Sequence, residues 1–179
     1  MEITQRELRL LNFYRASELH GGLALGSLVR RARDPELILK LTRHSAEEIH
    51  HAELWTDTIL RVGGRPSPTK DTYQARYAAV LGTPRSIVEV LAVTQVFERR
   101  VYRHFMEHLR HPGTHPRVRE CLHTMIEEER DHLSWVWDWL TTRAGLPRPE
   151  LQALMLRFQD ADAAVYRELC EEYQWKRAA

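Results

Sequence analysis

Cysteine is scarce in this chain. Its 179 residues include two, Cys121 and Cys170, far apart and outside any Cys-x-x-Cys spacing. That excludes a zinc ribbon or a rubredoxin-type iron centre and leaves two reduced, structural thiols. Charge of one sign is equally short. Lys and Arg number 26 against 25 Asp and Glu, a net charge of +1, so no gross electrostatic case arises for nucleic acid or an anionic membrane. No apolar run reaches the length of a membrane span, and Met1 to Leu11 alternates charge with leucine where a signal peptide would be hydrophobic. A cytoplasmic location without membrane contact is expected. Sustained β-branched alternation is missing too, which removes the usual signature of strands and leaves an all-α fold. At this length the chain suits one well-buried domain better than two.

Glycine and proline, eight of each, gather at a few breaks and so punctuate a helical chain. Asp34-Pro35 is a cap followed by Pro at the first helical position, Gly63-Gly64-Arg65-Pro66-Ser67-Pro68 stops a helix, and Thr83-Pro84 starts another. His111 to Pro116 and Gly145 to Pro149 break the chain again. Long helices are expected over 4–33, 35–62, 84–110, 116–143 and 149–174, and Tyr73–Leu81 has room to form a short one inside the connection between the second and third. The 63–83 connection is too long for a simple antiparallel turn. It suits the long crossover that one class of four-helix bundle needs between its second and third helices.

What the chain does contain is one pattern written twice, Glu47-Glu48-Ile49-His50-His51 and Glu128-Glu129-Arg130-Asp131-His132, each preceded at a similar distance by a lone acid, Glu18 and Glu98. Glu and His three residues apart share a helical face, so each Glu-x-x-His pair can aim two ligands at one point. Periodicity selects the register. In the second helix Leu37, Leu41, His44, Glu48, His51, Trp55 and Ile59 form one inward stripe, whereas Glu47 and His50 share theirs with Lys40 and Arg43 and belong on the flank. Glu18 lies on a stripe with Leu11, Tyr14, Gly21, Leu25 and Leu28. Glu98 lies with Leu91, Gln95, Tyr102 and Phe105, and Glu129 and His132 with Leu122, Met125, Val136 and Leu140. A single acid on a helix is ordinarily solvated. Four buried carboxylates without a cation would cost several kcal/mol per ion, more than a domain of ordinary stability absorbs unless they protonate or bind metal. Glu18, Glu48, His51, Glu98, Glu129 and His132 are therefore the expected ligands of two metal ions. A set rich in carboxylate with two imidazoles favours iron or manganese, including a mixed pair.

These residues resemble the ferritin-like di-iron carboxylate proteins, which include bacterioferritins, rubrerythrins and several oxygenases. The resemblance spans roughly residues 4–143 and is strongest at Glu18, Glu48-x-x-His51-Ala52, Glu98 and Glu129-x-x-His132 with Trp135 beyond. It implies a ferritin-like four-helix bundle over 1–146 with an extra C-terminal helix over 147–179. It also implies that Glu48 and Glu129 bridge two irons, that Glu18 and Glu98 bind one each, and that His51 and His132 complete the shells. Many members carry an acid just before each bridging Glu, here Glu47 and Glu128, able to accept the outer ring N–H of a ligating His. Within the family, the run from Asp34-Pro35-Glu36-Leu37 to His51 looks most like the tRNA-modifying hydroxylases. Ile49 stands where bacterioferritins place a haem-binding Met, Leu25 where storage and peroxidase members tend to have Tyr, and Arg99, Arg100 and Val101 offer no extra Glu of the rubrerythrin kind. The resemblance thus points to an O2-dependent oxidase or hydroxylase of a small molecule or RNA, served by an electron-donor protein. Iron handling by ferroxidation or storage, or peroxide scavenging, is the alternative.

Several further residues carry open readings. Tyr14 and Tyr102 lie one turn from Glu18 and Glu98 and read equally as hydrogen-bond donors or as core. Gln95 can bond a ligand or line a pocket. Gly21 and Gly22 cost about 1 kcal/mol each against Ala in mid-helix, which implies either room for O2 or substrate, or close helix packing. Trp135, Trp137 and Trp139 cannot all face inward. Leu151, Leu154, Met155, Phe158, Val165, Leu169 and Tyr173 make an apolar face that must be covered by the bundle or by a second subunit, and a homodimer is expected over a storage cage.

Overall fold

A computed structural model describes residues 2–173 and is helical throughout, with α1 over Gln5–Val29, α2 over Pro35–Arg61, α3 over Tyr73–Leu81, α4 over Ile87–Arg110, α5 over Pro116–Thr142 and α6 over Arg148–Glu172. Residue 174, where the sequence reading ended the last helix, lies outside the described residues, as do 175–179. Each start has a local cause. Thr4, Asp34 and Thr72 accept hydrogen bonds from the first-turn amides of Glu7, Glu36 and Ala75, and Pro35 and Pro116 occupy first-turn positions where no amide is needed. Gly63, at φ +78°, ends α2 in a conformation that costs glycine nothing.

Two boundaries differ from expectation. The first helix stops at Val29, four residues early, because Asp34 must be extended to cap α2 and the intervening residues make the turn. The third long helix starts at Ile87, not at Pro84. There Ser86 and Glu89 form a reciprocal capping box, and Glu89 also accepts from the Arg85 amide at 2.8 Å, so this cap outcompetes the Thr83-Pro84 signal.

Packing pairs α1 with α2 and α4 with α5, joins the pairs where α2 meets α5, and lays α6 over α3 and α4. The apolar interior falls into two clusters. One holds Leu11 and Phe13 of α1, Trp55 of α2, Phe105 of α4 and Leu122 of α5; the other holds Leu25, Leu41, Leu91 and Val136 of the same four helices. Along α1 and α5 the chain passes from the first cluster to the second, and along α2 and α4 it runs the opposite way. Hence α2 ends at one end of the molecule and α4 begins at the other, and the segment carrying α3 makes the traverse. Between the clusters, at mid-height, lie the buried Glu and His side chains.

The C-terminal face is covered within the chain. Met155, Phe158, Val165 and Leu169 are at most 5 % exposed, and Leu154 is half-buried. Polar bonds seat this helix: Tyr77 donates to Asp162 Oδ1 at 2.5 Å, Arg100 Nε to Asp162 Oδ2 at 2.9 Å, and Tyr166 to Glu107 at 2.6 Å. Among the described residues no helix is long and apolar enough to cross a membrane.

Candidate metal centre

The inward register of α2 and α5 brings their paired ligands face to face. Glu48, His51, Glu129 and His132 are each no more than 2 % exposed, while Glu47 and His50 are exposed and His50 bonds to Glu53, at 3.1 Å. His51 Nδ1 lies 3.3 Å from Glu129 Oε1, and His132 Nδ1 lies 3.3 Å from both Glu129 Oε2 and Glu48 Oε1. The outer nitrogens are held crosswise. His51 Nε2 meets Glu128 of α5 at 2.9 Å and His132 Nε2 meets Glu47 of α2 at 3.0 Å, so with Nε2–H donating outward, each Nδ1 faces the interior.

The fourth carboxylate arrives with an unexpected partner. His44, one turn before Glu48, is 1 % exposed, with Nε2 at 3.2 Å from Glu48 Oε1 and 3.5 Å from Glu98 Oε1. Its ring lies on that of His132, centroids 3.8 Å apart, with Trp135 edge-on. The ligand atoms thus form two tight groups, Glu48 with His51, Glu129 and His132, and Glu48 with His44, Glu98 and His132; within each they lie inside 4.8 Å of one another. Five of the six expected residues belong to these groups. Glu18 stands outside both, buried, with its carboxyl hydrogen-bonded to Glu48. His44 had read as one more stripe residue; its i−4 relation to Glu48 was the available signal.

Electrostatics show how the protein tolerates this layer. Burial, then the charges of Glu48 and Glu129, push the Glu18 carboxyl well above the usual range. Burial and the charges of Glu129 and Glu48 raise Glu98 to about 8. Glu48 and Glu129 go the other way: burial favours protonation, but facing imidazoles outweigh it and hold Glu48 below the usual range and Glu129 at about 2. Burial likewise opposes charge on His44 and His132, yet their carboxylate neighbours raise them to about 9 and about 12. Protons on Glu18 and Glu98, and imidazolium facing Glu48 and Glu129, offset charges that would otherwise cost several kcal/mol each.

The remaining candidates sort by contact. Tyr14 packs on Trp55 and Phe105 and its hydroxyl meets His108 Nδ1 at 3.3 Å, so it is a core residue turned from the centre. Gln95 is buried, and Tyr102 is half-buried against the first apolar cluster. Trp137 is exposed beneath the Arg99 guanidinium, and Trp139 packs on the second cluster. The two mid-helix glycines serve both readings. A Cβ on Gly22 would lie 2.7 Å from Ile49 Cγ1 and 3.0 Å from the Ser45 carbonyl, so this position lets α1 close on α2. One on Gly21 would lie 2.8 Å from Glu48 Oε2, so that position leaves space beside the carboxylate.

That space belongs to a cavity of about 500 Å³ with Glu48 and Glu98 at its inner end and exposed residues, among them Ser27, Arg31 and Thr83, at its mouth. No family model matches the chain, and no curated protein or solved structure matches it either.

Proposed function

We propose that the chain is a ferritin-like non-haem di-iron oxidoreductase, an O2-dependent oxidase or hydroxylase. The observation that carries the reading is the set of orphaned atoms at its centre. Both Glu129 oxygens, His51 Nδ1 and His132 Nδ1 are buried and without hydrogen-bond partners, although they lie 3.3 Å apart in ion-pair contact. Such groups are costly unless something completes them, and a cation suits carboxylate oxygens and imidazole lone pairs together. The donor set therefore fits iron or manganese. His51, Glu129 and His132 would hold one ion and His44 and Glu98 the other, with Glu48 within reach of both and Glu18 beside Glu48. Bound there, the pair supplies two-electron chemistry toward O2.

The chain's own residues prepare that chemistry. Glu47 and Glu128 fix the tautomers of His132 and His51. Leu25, Leu41, Leu91 and Val136 close one end of the centre to water, and Trp55, Phe105 and Leu122 close the other. The cavity beside Gly21 is the route by which a substrate reaches Glu48 and Glu98. An oxidoreductase also requires an electron donor, and the described chain contains no second redox centre of the Cys-rich kind.

Elemental analysis tests the reading. The purified protein should hold close to two iron or manganese ions per chain, one for each ligand group. Glu48→Ala should lose both ions and Glu129→Ala about half of the metal, and full retention by both variants would reject the site. Aerobic addition of excess ferrous iron separates the rival, iron storage. An oxidoreductase stays near its starting iron content, whereas a storage protein accumulates a mineral core of hundreds of irons in a large shell.

A further inference from the structure

The cavity that ends on Glu48 and Glu98 has a definite chemical character. Its walls come from α1, α3 and α4 and are mostly apolar, lined by Leu25, Leu28, Ala78, Val90, Val93 and Phe97, with His20, Gln74 and Thr94 as polar exceptions. Gly21 at the inner end and Leu28 toward the mouth are about 10 Å apart along α1, at 1.5 Å per residue, with Arg31 a turn beyond. The space is therefore extended along α1, and its volume of about 500 Å³ lies within the ordinary range for small-molecule sites.

Charge is confined to the two ends. Glu48 and Glu98 at the floor are paired with His44, at 3.2 and 3.5 Å, so that end offers a carboxylate head no free cation. At the mouth, Arg31 is exposed, donates to the Arg85 carbonyl at 2.7 Å, and has no carboxylate partner among the described residues. Among the charged residues around the cavity it is the cation, placed where the apolar wall meets solvent. An anionic head thus has one favourable position, at the rim, and an apolar tail has one favourable course, inward.

From this arrangement we infer that the cavity binds an elongated, medium-chain carboxylic acid, tail first, with its carboxylate at Arg31 and its distal carbons beside Glu48 and Glu98. The inference rests on the proposed oxidoreductase reading for its meaning, since it names the class of substrate presented to that centre. Binding itself depends only on the cavity. The position open to attack would be a carbon far from the carboxylate, because the head is held a helix segment away from the metal ligands.

The experiment is calorimetric titration of the full chain, as purified and under nitrogen, with dodecanoate, with dodecanol as the uncharged comparison and with metal content measured on each sample. Wild type should bind one dodecanoate per chain and bind dodecanol more weakly. Arg31→Gln, on the surface, should weaken dodecanoate about fivefold, the size of an exposed ion pair, and leave dodecanol unchanged. Ala78→Trp should fill the channel and abolish binding of both while retaining metal; Ala24→Trp serves the same purpose if the first variant does not fold. Failure of wild type to bind dodecanoate, or equal affinity in Arg31→Gln, overturns the inference. Dodecanoate binding to protein that cannot be loaded with metal would uphold the ligand class and reject the oxidoreductase reading; normal metal content without dodecanoate binding would do the reverse.

Discussion

His44 gives the second ligand group a nitrogen that the twice-written Glu-x-x-His pattern does not contain. Its expected effect is selective. His44→Gln should lose about half of the bound metal, the ion held with Glu98, while His50→Ala, at an exposed position, should keep all of it. Equilibrium dialysis with manganese followed by elemental analysis checks both, and full loading of His44→Gln would remove this imidazole from the ligand set. The position shows what could be read from residues alone. Glu48, His51, Glu129 and His132 were legible because two opposite signals coincided, a charged pair at metal spacing on a stripe that was otherwise apolar. His44 sat on the same stripe, but a histidine there is compatible with an ordinary core. Glu47 and Glu128 were legible as flanking acids, and their crosswise reach was not, because helical period places a side chain on a flank without saying which helix lies beside it.

At the scale of elements, the close approach of α1 to α2 depends on Gly22. Replacing it by Ala would gain about 1 kcal/mol of helix propensity. The new methyl would meet Ile49 at 2.7 Å and the Ser45 carbonyl at 3.0 Å. Ile49 can turn aside, but the carbonyl belongs to α2 itself and accepts no such relief without moving the helix. Overpacking of this kind costs about 1 to 3 kcal/mol, so Gly22→Ala should be destabilised on balance, read as a lower midpoint in urea unfolding. Ser45 should feel the same shift, since its hydroxyl donates to the Gly22 carbonyl at 2.7 Å. Helix number and order, including Tyr73–Leu81, followed from punctuation and period. The start of α4 did not, because two cap signals three residues apart compete and only the reciprocal Ser86–Glu89 bonds decide between them. Nor did the second buried face of α4, with Arg100, His104 and His108. Period reports the dominant stripe of a helix, and this other face becomes interior only once α3 and α6 cover it.

The whole molecule carries a pH dependence that originates on that second face. His104, against Tyr14, Tyr73 and Tyr166 and near His108 and the Arg100 guanidinium, is lowered to about 3, first by burial and then by those neighbours. In the unfolded chain it titrates at its ordinary 6.5. Between these values the unfolded state binds a proton that the folded state refuses, so the stability that His104 contributes falls as pH drops below 6.5, by up to about 1.4 kcal/mol per pH unit. Glu98 has the opposite sign. Raised to about 8 from 4.5, it contributes stability that is fully present below 4.5 and lost as pH rises toward 8. The informative quantity is therefore a difference: unfolding free energy measured at pH 7 and at pH 5 should fall less in His104→Leu than in wild type, whatever the starting stability of the variant. An equal slope in both proteins would assign the acid sensitivity elsewhere. The reciprocal bonds from Glu47 to His132 and from Glu128 to His51 act at this scale as well. Neither imidazole can swing outward without breaking a bond to the opposite helix, so an ion held by His51 and Glu129, which do not line the cavity, would leave only as the seam between α2 and α5 parts. Affinity and lifetime are then separate properties of the centre. Loss of that ion to a chelator should proceed at a rate set by helix opening and independent of chelator concentration. Glu47→Gln and Glu128→Gln together should quicken that loss, and wild-type release in proportion to chelator would show that the seam does not govern it.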